Sequence, residues 1–181
     1  MSKDQDAALL EDCKRGDRKA LNSLVRRYER QVFNAAYRML GNREEAADVS
    51  QTVFLKAFEH LDRYDPKHKF FSWIYRIAMN ESINQLKRRR PTEPLPESAQ
   101  SASATPEREL EAQRLGEDLQ AALMQLQEDY RAVIVLRHFS EHSYRQIGEI
   151  LDIPEKTVKS RLFSARQRMK DSLEQMGTIA K

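Results

Sequence analysis

The 181-residue sequence holds a single cysteine, Cys13. No intrachain disulfide and no multi-cysteine zinc site can form from it, and a lone thiol reads as a bland side chain. Glycine and proline are scarce, five and six residues. Four of the prolines, Pro91, Pro94, Pro96 and Pro106, fall in one stretch. So few turn formers elsewhere exclude a turn-rich all-β fold and favour helices. No apolar run approaches the ~18 residues needed to cross a bilayer. The N-terminal MSKDQDAALLEDCK has no apolar core of signal-peptide length. These absences predict a cytoplasmic protein without direct membrane insertion. Catalytic signatures are missing too: no glycine-rich phosphate loop ending in Lys-Ser/Thr, no HExxH, no GxSxG. His60, His68, His138 and His142 are scattered without metal-ligand spacing. The expectation is a protein with no enzymatic activity, no metal and no cofactor.

Charge and apolar content are present in quantity. Charged residues make up 33% and apolar residues 40%, with a mean hydropathy of −0.76. That composition supports small cores under a polar surface. The net charge of +3 conceals an uneven distribution. Residues 92–129 carry nine acids and two bases, whereas residues 155–170 carry six bases and one acid. A basic module therefore sits at the C-terminal end, the electrostatic footprint of a nucleic-acid partner.

The chain divides into two helical blocks around PTEPLPESAQSASATP, residues 91–106. That segment has almost no large apolar residue, cannot bury a core, and is expected to be extended or disordered. In the first block, a short helix near residues 5–15 ends at Gly16. Asp17 can cap a second helix over about 18–40, which Gly41 stops. Asn42 with Glu45 resembles a capping box and opens a third helix to about His60. Tyr64-Asp65-Pro66 is a turn, and a fourth helix covers about 71–89. In the second block an acidic helix runs from about 107 to 125 and another from about 128 to 138. Ser143 with Gln146 is a cleaner capping box opening 144–151. Asp152-Ile153-Pro154 is a tight turn, and the last helix covers 155 to about 175. The predicted fold is all-α: two small helical domains, 1–90 and 107–181, joined by a flexible Pro/Ser/Ala linker at 91–106.

Projection at 100° per residue leaves three faces that a core does not explain. On the last helix Val158, Leu162, Ala165, Met169 and Leu173 point inward. The opposite face centres on Lys156, Ser160, Phe163, Ser164 and Gln167, flanked by Thr157, Lys159, Arg161 and Arg168. A short helix, a tight turn and a basic helix form the helix-turn-helix pattern that enters the major groove. There Lys and Arg read guanine or hold phosphates, and an exposed Phe can meet a thymine methyl. A solvated basic face is the plainer alternative, though an exposed Phe is no solvation device.

On the fourth helix Trp73, Arg76, Ile77, Asn80, Asn84, Lys87 and Arg88 share the outer face, with Tyr64 and Phe70 just before it. Aromatic surfaces beside Asn, Lys and Arg are the chemistry of single-stranded nucleic acid, where bases stack next to a basic groove. Trp73 and Ile77 could equally pack on a neighbouring helix. On the third helix Asp48, Gln51, Thr52, Leu55 and Glu59 form the outer face. A lone Leu among polar residues is compatible with protein docking, although one exposed Leu alone means little.

In this order the pieces resemble the extracytoplasmic-function sigma factors. EEAADVSQTVFLKAF looks like the family's polymerase-binding helix. FFSWIYRIAMNESINQLKRRR is similar to its promoter-melting and −10-reading segment. LQEDYRAVIVLRHFSEHSYRQIGEILDIPEKTVKSRLFSARQRMK is similar to its −35-reading domain. The resemblance spans about residues 8–173 and implies a sigma factor that directs core RNA polymerase to promoter DNA. It implies polymerase contacts at Asp48, Gln51, Thr52 and Leu55. It implies −10 contacts at Tyr64, Phe70, Trp73, Arg76, Asn80, Asn84, Lys87 and Arg88, with residues 64–71 in the loop that holds a flipped base. The −35 contacts would be Arg145, Thr157, Lys159, Ser160, Arg161, Phe163, Ser164 and Arg168. An anti-sigma factor, often membrane-bound in the family, is implied as a further partner, and the free protein is expected to be a monomer. The linker would thread the polymerase toward the RNA exit path. The chain departs from the family at Thr52, where Glu is frequent, at Asp152, where Gly is frequent, and at Ser164, where a base is common.

Overall fold

The computed structural model describes residues 3–89 and 107–179; Arg90 and the linker at 91–106 lie outside the described residues. Among the described residues every regular element is helical. The first block contains α1 (Lys3–Lys14), α2 (Arg18–Leu40), α3 (Arg43–Glu59), a 3₁₀ turn (Leu61–Arg63) and α4 (Phe70–Arg88). The second contains α5 (Glu107–Met124), α6 (Glu128–Ile134) with a π-helical turn (Val135–Phe139), α7 (Tyr144–Leu151) and α8 (Glu155–Gln175). The all-α expectation is met.

Local chemistry sets most of the helix ends. The Asp17 carboxylate accepts the backbone N–H of Lys19 at 2.7 Å, satisfying a donor that the first turn of α2 leaves free. Gly41 closes α2 in the left-handed region at φ 70° and donates to the Tyr37 carbonyl at 2.8 Å. Asn42 caps α3 by accepting from Glu45 N–H at 3.0 Å. The capping box expected there is only half formed, because the Glu45 carboxylate binds Arg89 at the end of α4 instead.

One face of each helix closes the first core. Leu24, Tyr28, Val32 and Met39 of α2 meet Ala46, Val53 and Ala57 of α3 and Ile74, Ala78 and Met79 of α4, all essentially without solvent exposure. In the second block Leu123, Val133, Leu136, Ile147, Ile150, Val158, Leu162 and Ala165 do the same. The helix expected to run to about His138 departs from α geometry at Val135, and Ser140 N–H reaches back five residues to the Val135 carbonyl at 3.1 Å. The widened turn keeps both Val135 and Leu136 buried and leaves Phe139 part-exposed.

The blocks are not separate bodies joined only by a linker. Their buried side chains form one continuous cluster. The second block docks on the C-terminal end of α2, and α7 lies against α4. Gly41 also lies under α5: a Cβ on it would sit 2.7 Å from Met124 Sδ, and that flexible side chain would have to shift.

Candidate nucleic-acid and polymerase interfaces

The helix-turn-helix is built by α7 and α8. Ser143 Oγ accepts from Gln146 N–H at 3.2 Å and Gln146 Oε1 accepts from Ser143 N–H at 2.8 Å, a complete capping box. Asp152 ends α7 in the left-handed region at φ 55°, ψ 47°. Asp tolerates that conformation, so the turn forms without the frequent glycine. Ile153 N–H donates to the Gly148 carbonyl at 3.1 Å. A Cβ at Gly148 would lie 2.8 Å from the Ile153 carbonyl oxygen, so a side chain there would force the two helices apart.

Val158, Leu162 and Ala165 pin α8 to the core, which turns Lys156, Ser160, Phe163 and Gln167 outward. Phe163 is 76% exposed, an apolar ring held in water by its own helix. Thr157 and Ser164 are half-buried at the edges of that face. Lys159 pairs with Glu155 at 3.1 Å and Arg145 with Glu149 at 3.2 Å. Such exposed pairs are weak, so phosphates can replace the carboxylates at little cost. Arg161 and Arg168 are placed differently from the other six −35 candidates. Arg161 binds Asp129 of α6 at 2.8 Å, and the Arg168 guanidinium lies 4.6 Å from the Tyr130 ring centre. Both brace α8 against α6.

On α4, Arg76, Asn80, Asn84, Lys87 and Arg88 are exposed, while Trp73 and Ile77 are half-buried at the margin. The expectation that Phe70 lies on the reading surface is corrected by its burial. It is 2% exposed, in edge contact with Tyr28 (5.6 Å) and Tyr64 (5.7 Å) and tilted against Trp73 (5.8 Å). Its position at the first turn of α4, facing α2, puts the ring under the surface, where it supports Tyr64 and Trp73. The Tyr64 hydroxyl donates to the His68 carbonyl at 2.6 Å, and the Asp65 carboxylate accepts from Lys67 N–H at 2.9 Å. These bonds shape the 64–68 loop. Burial, then Asp6 and Asp65, push the Tyr64 phenol above its ordinary pKa, so it stays a neutral donor. A cavity of about 170 Å³ opens here, lined by Tyr64, His68, Ser72, Trp73, Arg76 and, from α7, Glu149, among others. The Ser72 hydroxyl is buried without a partner.

On α3, Asp48, Gln51 and Leu55 are exposed in a row, with Leu55 at 57%. Thr52 is half-buried and its hydroxyl donates to the Asp48 carbonyl at 2.9 Å, so its polar group is turned onto its own helix.

Sequence reasoning did not identify the residues that join the blocks. Arg131 is buried, and its guanidinium donates to the carbonyls of Met39 (2.5 Å), Met124 (2.8 Å) and Leu126 (2.8 Å). Gln120 accepts from Arg38 at 2.9 Å, and its amide lies 3.5 Å and 3.4 Å from the Tyr37 and Arg38 carbonyls. His142 stacks on Phe71 at 5.2 Å and meets Tyr75 edge-on at 4.6 Å. The one available signal was the spacing of Arg131 three and four residues before the buried Ile134 and Val135. Among the described residues, no group of three or more metal-capable side chains forms, and no helix is long and apolar enough to cross a membrane.

Comparison with known proteins agrees with this geometry. Residues 24–92 match the family described as sigma-70 region 2, and residues 116–169 match sigma-70 region 4. The ECF RNA polymerase sigma factor SigW of Bacillus subtilis is 34% identical over 179 residues, covering 92% of this chain and 96% of that one. The ECF RNA polymerase sigma-E factor of Escherichia coli is 33% identical over 181 residues, covering 93% and 94%. Among solved structures, CnrH in complex with the cytosolic domain of CnrY superposes with a TM-score of 0.74 at 25% identity, over 94% of this chain and 97% of that chain. RpoE of Bartonella quintana, in complex with the anti-sigma factor NepR, shares the fold at a TM-score of 0.67 and 22% identity, over 86% and 98%. The chain belongs to the sigma-70 family of transcription initiation factors. Within it the chain is an extracytoplasmic-function sigma factor, which acts with RNA polymerase in promoter-specific initiation.

Proposed function

We propose that the three outward faces divide the work of initiation. The α3 row of Asp48, Gln51 and Leu55 docks on core polymerase, with Thr52 shaping the helix beneath it. The outer face of α8 reads the −35 element, with Lys156, Lys159, Ser160 and Phe163 at its centre, Thr157 and Ser164 at its edges, and Arg145 reaching phosphate from α7. Arg161 and Arg168 hold α8 at the angle this needs. The α4 face captures the melted −10 strand through Trp73, Arg76, Asn80, Asn84, Lys87 and Arg88. The cavity beside Tyr64 and Trp73 takes one unstacked base, and Phe70 supports those two rings from beneath. The working units are 1–90 and 107–181 with 91–106 between them, and the protein acts as a monomeric binding subunit without chemistry of its own.

The observation that carries this reading is Phe163, largely exposed at the centre of a basic helix-turn-helix face. Melting costs a few kcal/mol per disrupted step, so a protein this small relies on polymerase to complete it and binds promoters weakly when free. The CnrH and RpoE structures contain CnrY and NepR, which supports an anti-sigma factor as a further partner. The test is in vitro transcription with core polymerase and sheared genomic DNA. New, defined start sites and co-migration with core on a sizing column are expected. Absence of both, or nanomolar promoter-specific binding by the isolated protein, overturns the reading.

A further inference from the structure

The outward side of α2 is a fourth face that a core does not explain. Ala20, Leu24, Tyr28, Val32, Ala35 and Met39 bury the inner side, where α3 and α4 pack. Lys19, Ser23, Arg26, Arg30, Phe33 and Tyr37 follow one another at alternating steps of four and three, so they line one stripe on the opposite side. Lys19, Arg26 and Arg30 are exposed, and Phe33 and Tyr37 are half-buried. The two rings lie parallel, with 3° between their planes and their centres 6.5 Å apart. The guanidinium of Arg43, at the first turn of α3, lies 5.9 Å from the Tyr37 ring centre.

Charge on this helix is one-sided, six bases against the single acid Glu29. Arg27 is held by Asp6 of α1 and Arg38 by Gln120 of α5, both off the stripe. Lys19, Arg26 and Arg30 make no ion pair among the described residues. A solvated face needs neither uncompensated bases in a row nor an aromatic pair at the end of that row. A ligand with phosphates at short intervals and flat rings between them uses both: the bases neutralise its backbone and the aromatic rings take its unstacked bases. From Lys19 to Tyr37 the stripe is about 27 Å long, room for several nucleotides of a single strand. A duplex keeps its base faces inside its own stack and would leave the rings unused.

We propose that this stripe of α2 is a second single-stranded DNA track, which holds, without base readout, a stretch of the opened promoter beyond the one on the α4 face. The stripe points away from both α3 and α4, so it can be occupied while the α3 row docks and the α4 face is filled. That the strand comes from a promoter rests on the division of faces given above; the affinity of the stripe for single strands does not.

The test uses the full chain and a fluorescein-labelled single-stranded DNA of mixed sequence, about 12 nucleotides long. Lys19→Ala/Arg26→Ala/Arg30→Ala should bind it at least about tenfold more weakly at about 50 mM salt. The slope of log affinity against log salt should shrink by about 2, since each lost phosphate contact removes about 0.7. Tyr37→Leu, which keeps apolar bulk at a half-buried place, should weaken binding about fivefold or more with the slope unchanged. Both variants should keep the wild-type circular dichroism and core-polymerase affinity; if Tyr37→Leu is unfolded, Phe33→Leu takes its place with the same readouts. With 5-bromouracil along the probe, ultraviolet cross-links should reach Phe33 or Tyr37 as well as α4. The same residues should be labelled in the open complex at a start site mapped by the transcription assay. A folded triple variant with unchanged affinity and slope overturns the track, as do cross-links confined to α4. Duplex DNA or RNA of the same sequence, bound by the wild type as tightly as single-stranded DNA and lost equally in the triple variant, overturns the choice of ligand. Failure of the sigma reading is distinct: no transcripts would start with core, while the binding arms, which use no polymerase, would still report on the track.

Discussion

Lowering the pH from 7.5 to 5 should weaken the docked fold through one side chain, His142. Its residue is 6% exposed, its ring is held between Phe71 and Tyr75, and its Nε2 has no partner. Charged groups around it include Glu141 and Lys69, which line the same cavity as His142, and Arg137, which donates to its backbone carbonyl at 3.1 Å. Burial pushes its pKa down from 6.5 to about 4. The folded state therefore favours neutral histidine. Its contribution is complete above the unfolded pKa and is lost as pH falls from 6.5 toward 4. The full shift corresponds to at most about 3 kcal/mol, and the part lost by pH 5 to about 2 kcal/mol, lowered further by water and salt around the ring. Urea unfolding followed by far-UV circular dichroism at pH 7.5 and pH 5 reads this as a midpoint lower by up to about 1 M. His138 titrates in the same direction, its pKa lowered by burial and then by Arg166 and Arg137. The comparison with His142→Gln isolates the one site. The variant should lose most of the pH dependence over this interval. Equal slopes for wild type and variant would refute the assignment of the effect to His142.

Three further outcomes follow from the exposed and crowded positions. Leu55→Asp should lower core-polymerase affinity more than about tenfold in an anisotropy titration. Its thermal melt should stay unchanged, since the side chain touches no core; full affinity in the folded variant would remove α3 as the docking face. Phe163→Ala should leave stability intact and cost about 1–3 kcal/mol of discrimination at one −35 position, read by transcription from promoters varied there. Gly148→Ala should destabilise the helix-turn-helix by about 1–3 kcal/mol, because the new Cβ meets the Ile153 carbonyl at 2.8 Å. A melting temperature within a degree of wild type would contradict that packing.

Helix limits were legible in the sequence because their causes are local. Asp17, Gly41, Ser143 with Gln146, and Asp152 each act within a few residues of the end they set. The buried faces were legible because a helix repeats every 3.6 residues, which also exposed Leu55, Asn80, Asn84 and Phe163 as residues the core does not need. Periodicity says which face is covered but not by what. Phe70, expected on the reading surface from the family resemblance and its place just before α4, is covered by Tyr28, forty-two residues earlier in the chain. Arg161 and Arg168 read as groove residues until Asp129 and Tyr130 of α6 came beside them. The π-helical turn also escaped, since VLRHF carries no residue that forbids an ordinary α turn.

Two helical blocks, a helix-turn-helix and three faces of distinct chemistry follow from residue order alone, because caps, breakers and periodicity are short-range. That the blocks pack on each other is a property of the folded chain. The bond from Arg131 to the Met39 carbonyl joins residues 92 apart, and its acceptor is a backbone atom that every residue carries. An interaction with the main chain leaves no mark on residue identity at its acceptor end, so docking became visible only when α2 had a free C-terminal turn for the second block to cap.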